Sequence, residues 1–117
     1  MRPDARMSLE HIRDEAQFLL DDTAGETFET FMYNRRLRQS VERSFIVIGE
    51  AMRRLRDDDP ATAQQITEYG QVIAFRNILI HVYDDIDHAR VWRVIQESLP
   101  VLRAEVEQLL SEADRQS

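Results

Sequence analysis

Cysteine is missing from this chain of 117 residues, so disulfides and thiolate sites are excluded. Lysine is missing as well: all 15 basic residues are arginine. A GC-rich coding bias accounts for that choice, and so does a use for the forked guanidinium, which grips phosphate in two parallel hydrogen bonds as an ammonium does not. Glycine and proline occur 3 times each, which leaves little punctuation and favours long helices. Runs of alternating Val, Ile and Thr are absent, so strands are not expected. No apolar run approaches the roughly 20 residues of a membrane span. The stretch from Met1 to Leu9 carries Arg2, Asp4 and Arg6 without an apolar centre and is not expected to be a signal peptide. A reducing, cytoplasmic setting suits a cysteine-free chain. The net charge of −7 argues against a general nucleic-acid coat and leaves room for a local basic site.

The length suits one domain spanning residues 1–117, with a core that needs no metal or disulfide to hold it. Apolar spacing predicts four long helices. The first runs from about Ser8, as N-cap, to Leu20, with Leu9, Ile12, Ala16 and Leu19 on one face. Asp21 to Thr27 reads as a loop around Gly25. The second runs from about Thr27 to Arg56 and is stopped by Asp57-Asp58-Asp59-Pro60. The third runs from about Ala61 to about Val82. The fourth runs from Asp87 to Glu112, with Trp92, Ile95, Leu99, Leu102, Val106 and Leu109 at spacings of three and four, and Pro100 should kink or restart it. Two long antiparallel pairs would close into an all-α bundle.

Two helix faces go beyond packing. On the second helix, Val41, Phe45, Ile48, Met52 and Leu55 share an arc of about 80° that should face the core. Arg35, Arg36, Arg38, Arg43, Arg53, Arg54 and Arg56 fall opposite, with only Glu42 and Glu50 among them. This strip is either a solvated face with intrahelical ion pairs or a track for a phosphate backbone, in which case Arg53 and Arg54 are candidate RNA contacts. On the third helix, Val72, Phe75, Leu79, Val82 and Ile86 gather as core, with Ile78 at the edge. Ile73 and Ile80 fall with Arg76, Asn77, His81, Tyr83 and Asp84, a mixture that suits a partly buried partner surface better than open solvent.

The segment Phe75-Arg76-Asn77-Ile78-Leu79-Ile80-His81-Val82-Tyr83 carries the chemistry. Metal-independent RNA cleavage needs a base for the ribose 2′-hydroxyl and a group that steadies the charge building on phosphorus. His81 can shuttle protons near neutrality. Arg76 can hold a phosphate in two parallel hydrogen bonds. Asn77, one turn before His81, could orient the imidazole or touch substrate. Blander readings stand beside these: His81 as a helix-terminal histidine facing the negative dipole end, and Arg76 as the ion-pair partner of Asp84 or Asp85. His11 and His88 lack any motif and read as surface residues. Asp57-Asp58-Asp59 and Asp84-Asp85-Asp87 lack the spacing of a calcium loop and read as solvated turns, so no metal site or cofactor is expected.

Arg76, Asn77, His81 and Tyr83 stand at the spacing of the motif in HepT proteins of the HEPN superfamily, which the chain resembles from about Leu9 to Leu110. Val41-Glu42-Arg43 and Ile48-Gly49-Glu50-Ala51 are similar to the family's second-helix signature, and Val91-Trp92 and Leu99-Pro100-Val101-Leu102 to its fourth. Two departures stand out: Val82 replaces the glycine expected between His81 and Tyr83, and Glu68-Tyr69-Gly70-Gln71 lacks the expected Pro-Trp pair. The resemblance implies a four-to-five-helix antiparallel up-and-down bundle acting as a homodimer. It implies a toxin endoribonuclease with Arg76 and His81 catalytic, leaving 2′,3′-cyclic phosphate ends. It also implies a partner, an MNT-type nucleotidyltransferase antitoxin that attaches AMP to Tyr83. The alternatives are a catalytically idle HEPN subunit that only serves as that enzyme's target, and a plain helical interaction module.

Overall fold

The computed structural model describes residues 1–82 and 84–116. All its regular elements are helical: α1 (Pro3–Thr23), α2 (Phe28–Tyr33), α3 (Arg35–Asp58), α4 (Pro60–Ala63), α5 (Tyr69–His81), α6 (His88–Arg93), a π-helical turn (Val94–Ser98) and α7 (Leu99–Gln116). This is the all-α bundle expected. Helix α1 lies against both α3 and α7, and α5 packs on α3. Among the described residues no helix is long and apolar enough to cross a membrane.

The apolar stripes do what their spacing predicts. Leu9, Ile12, Ala16 and Leu19 of α1 are fully buried, as are Val41, Ile48, Met52 and Leu55 of α3. Ile95, Leu99, Leu102, Val106 and Leu109 line the inner side of the last helix. Polar ties fix the stripes against one another. Ser44, buried on α3, donates to Glu15 Oε1 of α1 at 3.0 Å. The Thr67 amide and hydroxyl both donate to the Glu105 carboxylate of α7, at 3.0 and 2.7 Å, pinning the turn that leads into α5.

Several helix boundaries differ from expectation. Helix α1 begins at Pro3, and Ser8, expected as its cap, is buried inside it. The long second helix is cut at Asn34, whose Oδ1 accepts from the Leu37 amide at 3.0 Å and starts α3 afresh. The short α2 ahead of it opens on a reciprocal Thr27–Thr30 capping box. The third helix starts at Tyr69 rather than Ala61, because α4 ends after one turn and Glu68 takes a left-handed φ of 55°. As expected, the α-helix is interrupted at Pro100, and α7 restarts at Leu99. The proline cannot donate to the Gln96 carbonyl, and the chain takes a π turn just before it, with the Leu99 amide reaching back to the Val94 carbonyl.

The roll of α5 also differs. Phe75 and Leu79 are buried as expected, but so is Ile73, while Ile78 is exposed. The reason lies on α3. Gly49 faces Arg76, and a Cβ there would overlap Arg76 Cβ, stand 2.7 Å from its Cγ and 3.3 Å from the Val72 carbonyl oxygen. The two helices come close at Val72 and Arg76, and the Phe45 and Phe75 rings meet edge to face at 5.2 Å. Gly49→Ala is therefore expected to destabilise by about 1–3 kcal/mol, the range for overpacking a tight contact. Gly70, whose Cβ would meet nothing within 4 Å, should gain up to about 1 kcal/mol on substitution by Ala. Urea unfolding of the two variants checks this: opposite signs are expected, with the m-value of wild type.

Candidate active site

Arg76 sits in the middle of α5, its side chain about a quarter exposed. Its Nη2 lies 2.9 Å from Glu50 Oε2 on α3, and its Nη1 donates to Asn77 Oδ1 at 2.9 Å. The contact with Glu50 is one of charge rather than a directed hydrogen bond, for Glu50 Oε2 is buried and accepts no hydrogen bond from the described residues. Arg76 Nε is also buried without a partner among them. Of the five N–H groups of the guanidinium, most are thus free of a directed acceptor. The acid beside Arg76 is Glu50, not Asp84 or Asp85.

Glu50 is shared. Its Oε1 also accepts from Arg53 Nη2 at 2.6 Å and lies 3.8 Å from Arg54 Nη2. The Arg53 hydrogen bond, helped by the charges of Arg53, Arg76 and Arg54, holds the Glu50 carboxyl below the usual range despite its partial burial. Arg53 and Arg54, read from the sequence as part of a basic strip, belong to the same cluster as Arg76. Elsewhere on the strip Arg56 pairs with Asp57 at 3.2 Å, and Arg38 donates to the Phe31 and Met32 carbonyls at the end of α2.

His81 is the last residue of α5 and is exposed. It lies five positions after Arg76, about 140° of azimuth and about 7.5 Å of rise, so the two side chains leave the helix in different directions. Asn77, exposed, is engaged with Arg76 through its carboxamide oxygen. Tyr83 lies outside the described residues.

A second polar group was not foreseen. His11 is exposed as expected, but His88 is half-buried and its Nδ1 is fully enclosed with no partner among the described residues. Its ring stands edge-on to Phe31 at 6.5 Å. With Arg35, Arg38, Gln39, Glu42 and Asp84 it lines a cavity of about 200 Å³ between the start of α3 and the segment leaving α5. The sequence held a signal for Glu50, since a glycine inside a helix implies a close neighbour and an acid follows it directly. None marked His88, because burial of a lone histidine depends on what the fold places over it.

The class of molecule is now defined: an all-helical HEPN-type bundle that presents an arginine and a histidine from one helix. The chain belongs to the Ribonuclease HepT-like family, whose profile matches residues 9–109. It is 30% identical over 104 residues to a protein of Methanocaldococcus jannaschii named as a candidate RNase, covering 89% of this chain and 94% of that one. It is 30% identical over 105 residues to another so named from Caldanaerobacter subterraneus, covering 90% and 93%. It is 27% identical over 101 residues to a protein of Thermococcus cleftensis whose name reads probable ribonuclease HepT, covering 86% and 91%. No solved structure gives a significant match.

Burial pushes the Glu42 carboxyl up, and the charges of His88 and Arg38 offset this only in part. A carboxyl whose folded pKa lies above its unfolded one opposes folding at neutral pH, and the penalty fades as pH falls through the folded value to below the unfolded one. Glu42→Gln is accordingly expected to raise the unfolding midpoint at pH 7 and to raise it less, or not at all, near pH 4. Thermal melts at the two pH values measure the difference; equal gains at both would remove Glu42 from the linkage.

Proposed function

We propose that the chain is an endoribonuclease that cleaves RNA without a metal ion, acting as a homodimer and serving as the toxin of a toxin–antitoxin pair. The observation that carries this reading is Arg76: a partly buried guanidinium with unspent N–H groups, one and a half turns before an exposed histidine, in a chain of the Ribonuclease HepT-like family. In the proposed reaction a base removes the proton of the ribose 2′-hydroxyl, whose oxygen attacks the adjacent phosphorus. The 5′-oxygen leaves with a proton from an acid, and a 2′,3′-cyclic phosphate remains. Arg76 balances the charge of the pentacoordinate phosphorus. His81 supplies base or acid. The divergence of Arg76 and His81 on one helix favours a cleft closed by a second copy, in which each protomer contributes one histidine.

His81→Ala is expected to lower cleavage of a single-stranded RNA by about a hundredfold or more, the usual scale for a lost general acid or base. Wild-type cleavage should persist in EDTA. Full activity of the His81→Ala protein, or an EDTA-sensitive reaction restored by magnesium, would overturn the assignment.

Within the same reading, the antitoxin is an MNT-type nucleotidyltransferase that attaches AMP to Tyr83. The added phosphate would pair with Arg76, and the nucleotide would occupy the space of the RNA. Intact mass after co-expression with that transferase should show added AMP on wild type and none on Tyr83→Phe. Equal uptake by the Phe variant would take Tyr83 out of the mechanism.

A further inference from the structure

We infer that Glu50 is a positioning residue: one carboxylate that gathers Arg53 and Arg54 of α3 and Arg76 of α5 into a single phosphate-binding cluster. The inference rests on the reading of Arg76 as the group that meets the scissile phosphate. Its grounds are the three contacts at 2.6, 3.8 and 2.9 Å made by the two oxygens of one side chain. Two of them come from the same helix, within one turn, and such exposed pairs are worth little alone. The third crosses to another helix, at the one place where α3 has no Cβ and α5 comes close.

Electrostatics decides what such a cluster is for. Three guanidinium cations share one carboxylate, and even with Asp57 acting on Arg53 the cluster keeps an excess of positive charge. A stabilising ion pair would balance its charges, and this one is outnumbered. An anion is the missing member, and a nucleic-acid phosphate backbone fits, since neighbouring phosphates can be met by Arg76 on one side and Arg53 or Arg54 on the other. Without Glu50 the three cations repel. Each arginine would then return to its full range of rotamers, an entropy that must be lost again when substrate binds. With Glu50 the arginine next to the reacting phosphorus is ordered beforehand, which is where preorganisation acts on rate rather than on affinity.

This gives a signature that a merely structural acid does not. Removing the Glu50 charge strengthens the attraction for RNA while loosening Arg76. Glu50→Gln, which keeps the size and an acceptor oxygen, is expected to bind a single-stranded RNA more tightly than wild type, with a steeper salt dependence. Its kcat should nevertheless fall, by about ten- to a hundredfold, the scale for a misplaced catalytic group. Glu50→Ala should show the same split more strongly, and thermal melts confirm that each variant is folded. Tighter binding with unchanged or higher kcat would make Glu50 only an electrostatic brake. Unchanged kcat and KM would make it an idle ion pair. Either result overturns the proposal. Nitrogen NMR of the Arg76 guanidinium reads the positioning without any turnover: rotation about its Nε–Cζ bond should be slow in wild type and faster in Glu50→Gln, and equal rates overturn the proposal. His81→Ala is assayed beside these. If wild type itself does not cleave, the ribonuclease reading falls, and the NMR comparison still decides whether Glu50 orders Arg76.

Discussion

The contact between Gly49 and Arg76 governs where everything else on this face can stand. Helix α5 is apolar nearly all round: Ile73, Phe75 and Leu79 are buried, and Ile78 is exposed on the far side. A helix without a polar stripe has no roll angle dictated by hydrophobicity, since several rotations bury similar area. Steric fit settles the matter instead. Only at Gly49 does α3 offer a gap deep enough for the stem of Arg76, and once that stem lies in the gap the guanidinium emerges beside Glu50. A glycine inside a helix costs about 1 kcal/mol relative to alanine. That loss is offset here by the close approach and by the aromatic contact of Phe45 with Phe75 alongside it.

Charge follows the same geometry. The ion pairs of Arg13 with Asp14 and of Arg56 with Asp57 are local and one-to-one, each between sequence neighbours and largely exposed. Pairs of that kind add little to stability and nothing to recognition. On a chain of net charge −7, a polyanion is repelled at long range, so any affinity for it has to come from a short-range surplus of the opposite sign. The cluster around Glu50 supplies such a surplus, and it exists only because two helices bring their arginines to one acid.

Much of this was legible in the amino-acid order, and the exceptions share a cause. The stripes of α1, α3 and the last helix were readable because each faces the core on one side and water on the other, so periodicity carries the answer. Arg76, Asn77 and His81 could be singled out as candidates because they sit on one short segment with fixed spacing. The stop at Asp59 and Pro60 was readable, whereas the break at Asn34 turns on a single side chain that competes with the helix for a backbone amide. Ile73 and His88 were misjudged because their burial is decided by elements distant in sequence. Glu50 stood in plain view as one of two acids on a basic strip. Its link to Arg76 spans two helices, and periodicity within a helix says nothing about what crosses between them.

The last helix explains why α5 leans so heavily on α3. Proline at position 100 removes a hydrogen bond from the helix interior, and the π turn at Val94–Ser98 absorbs the defect by widening the coil just before it. That widened turn does not close on α5. Val94, Ser98 and Leu99 line one wall of a cavity of about 450 Å³ whose other wall is Phe45, Val72 and Phe75. Arg90 bridges the gap near its edge, its guanidinium 5.5 Å from the centre of the Phe75 ring. With one flank bordering a cavity, α5 packs mainly on α3 on the other, where Arg76 lies against Gly49.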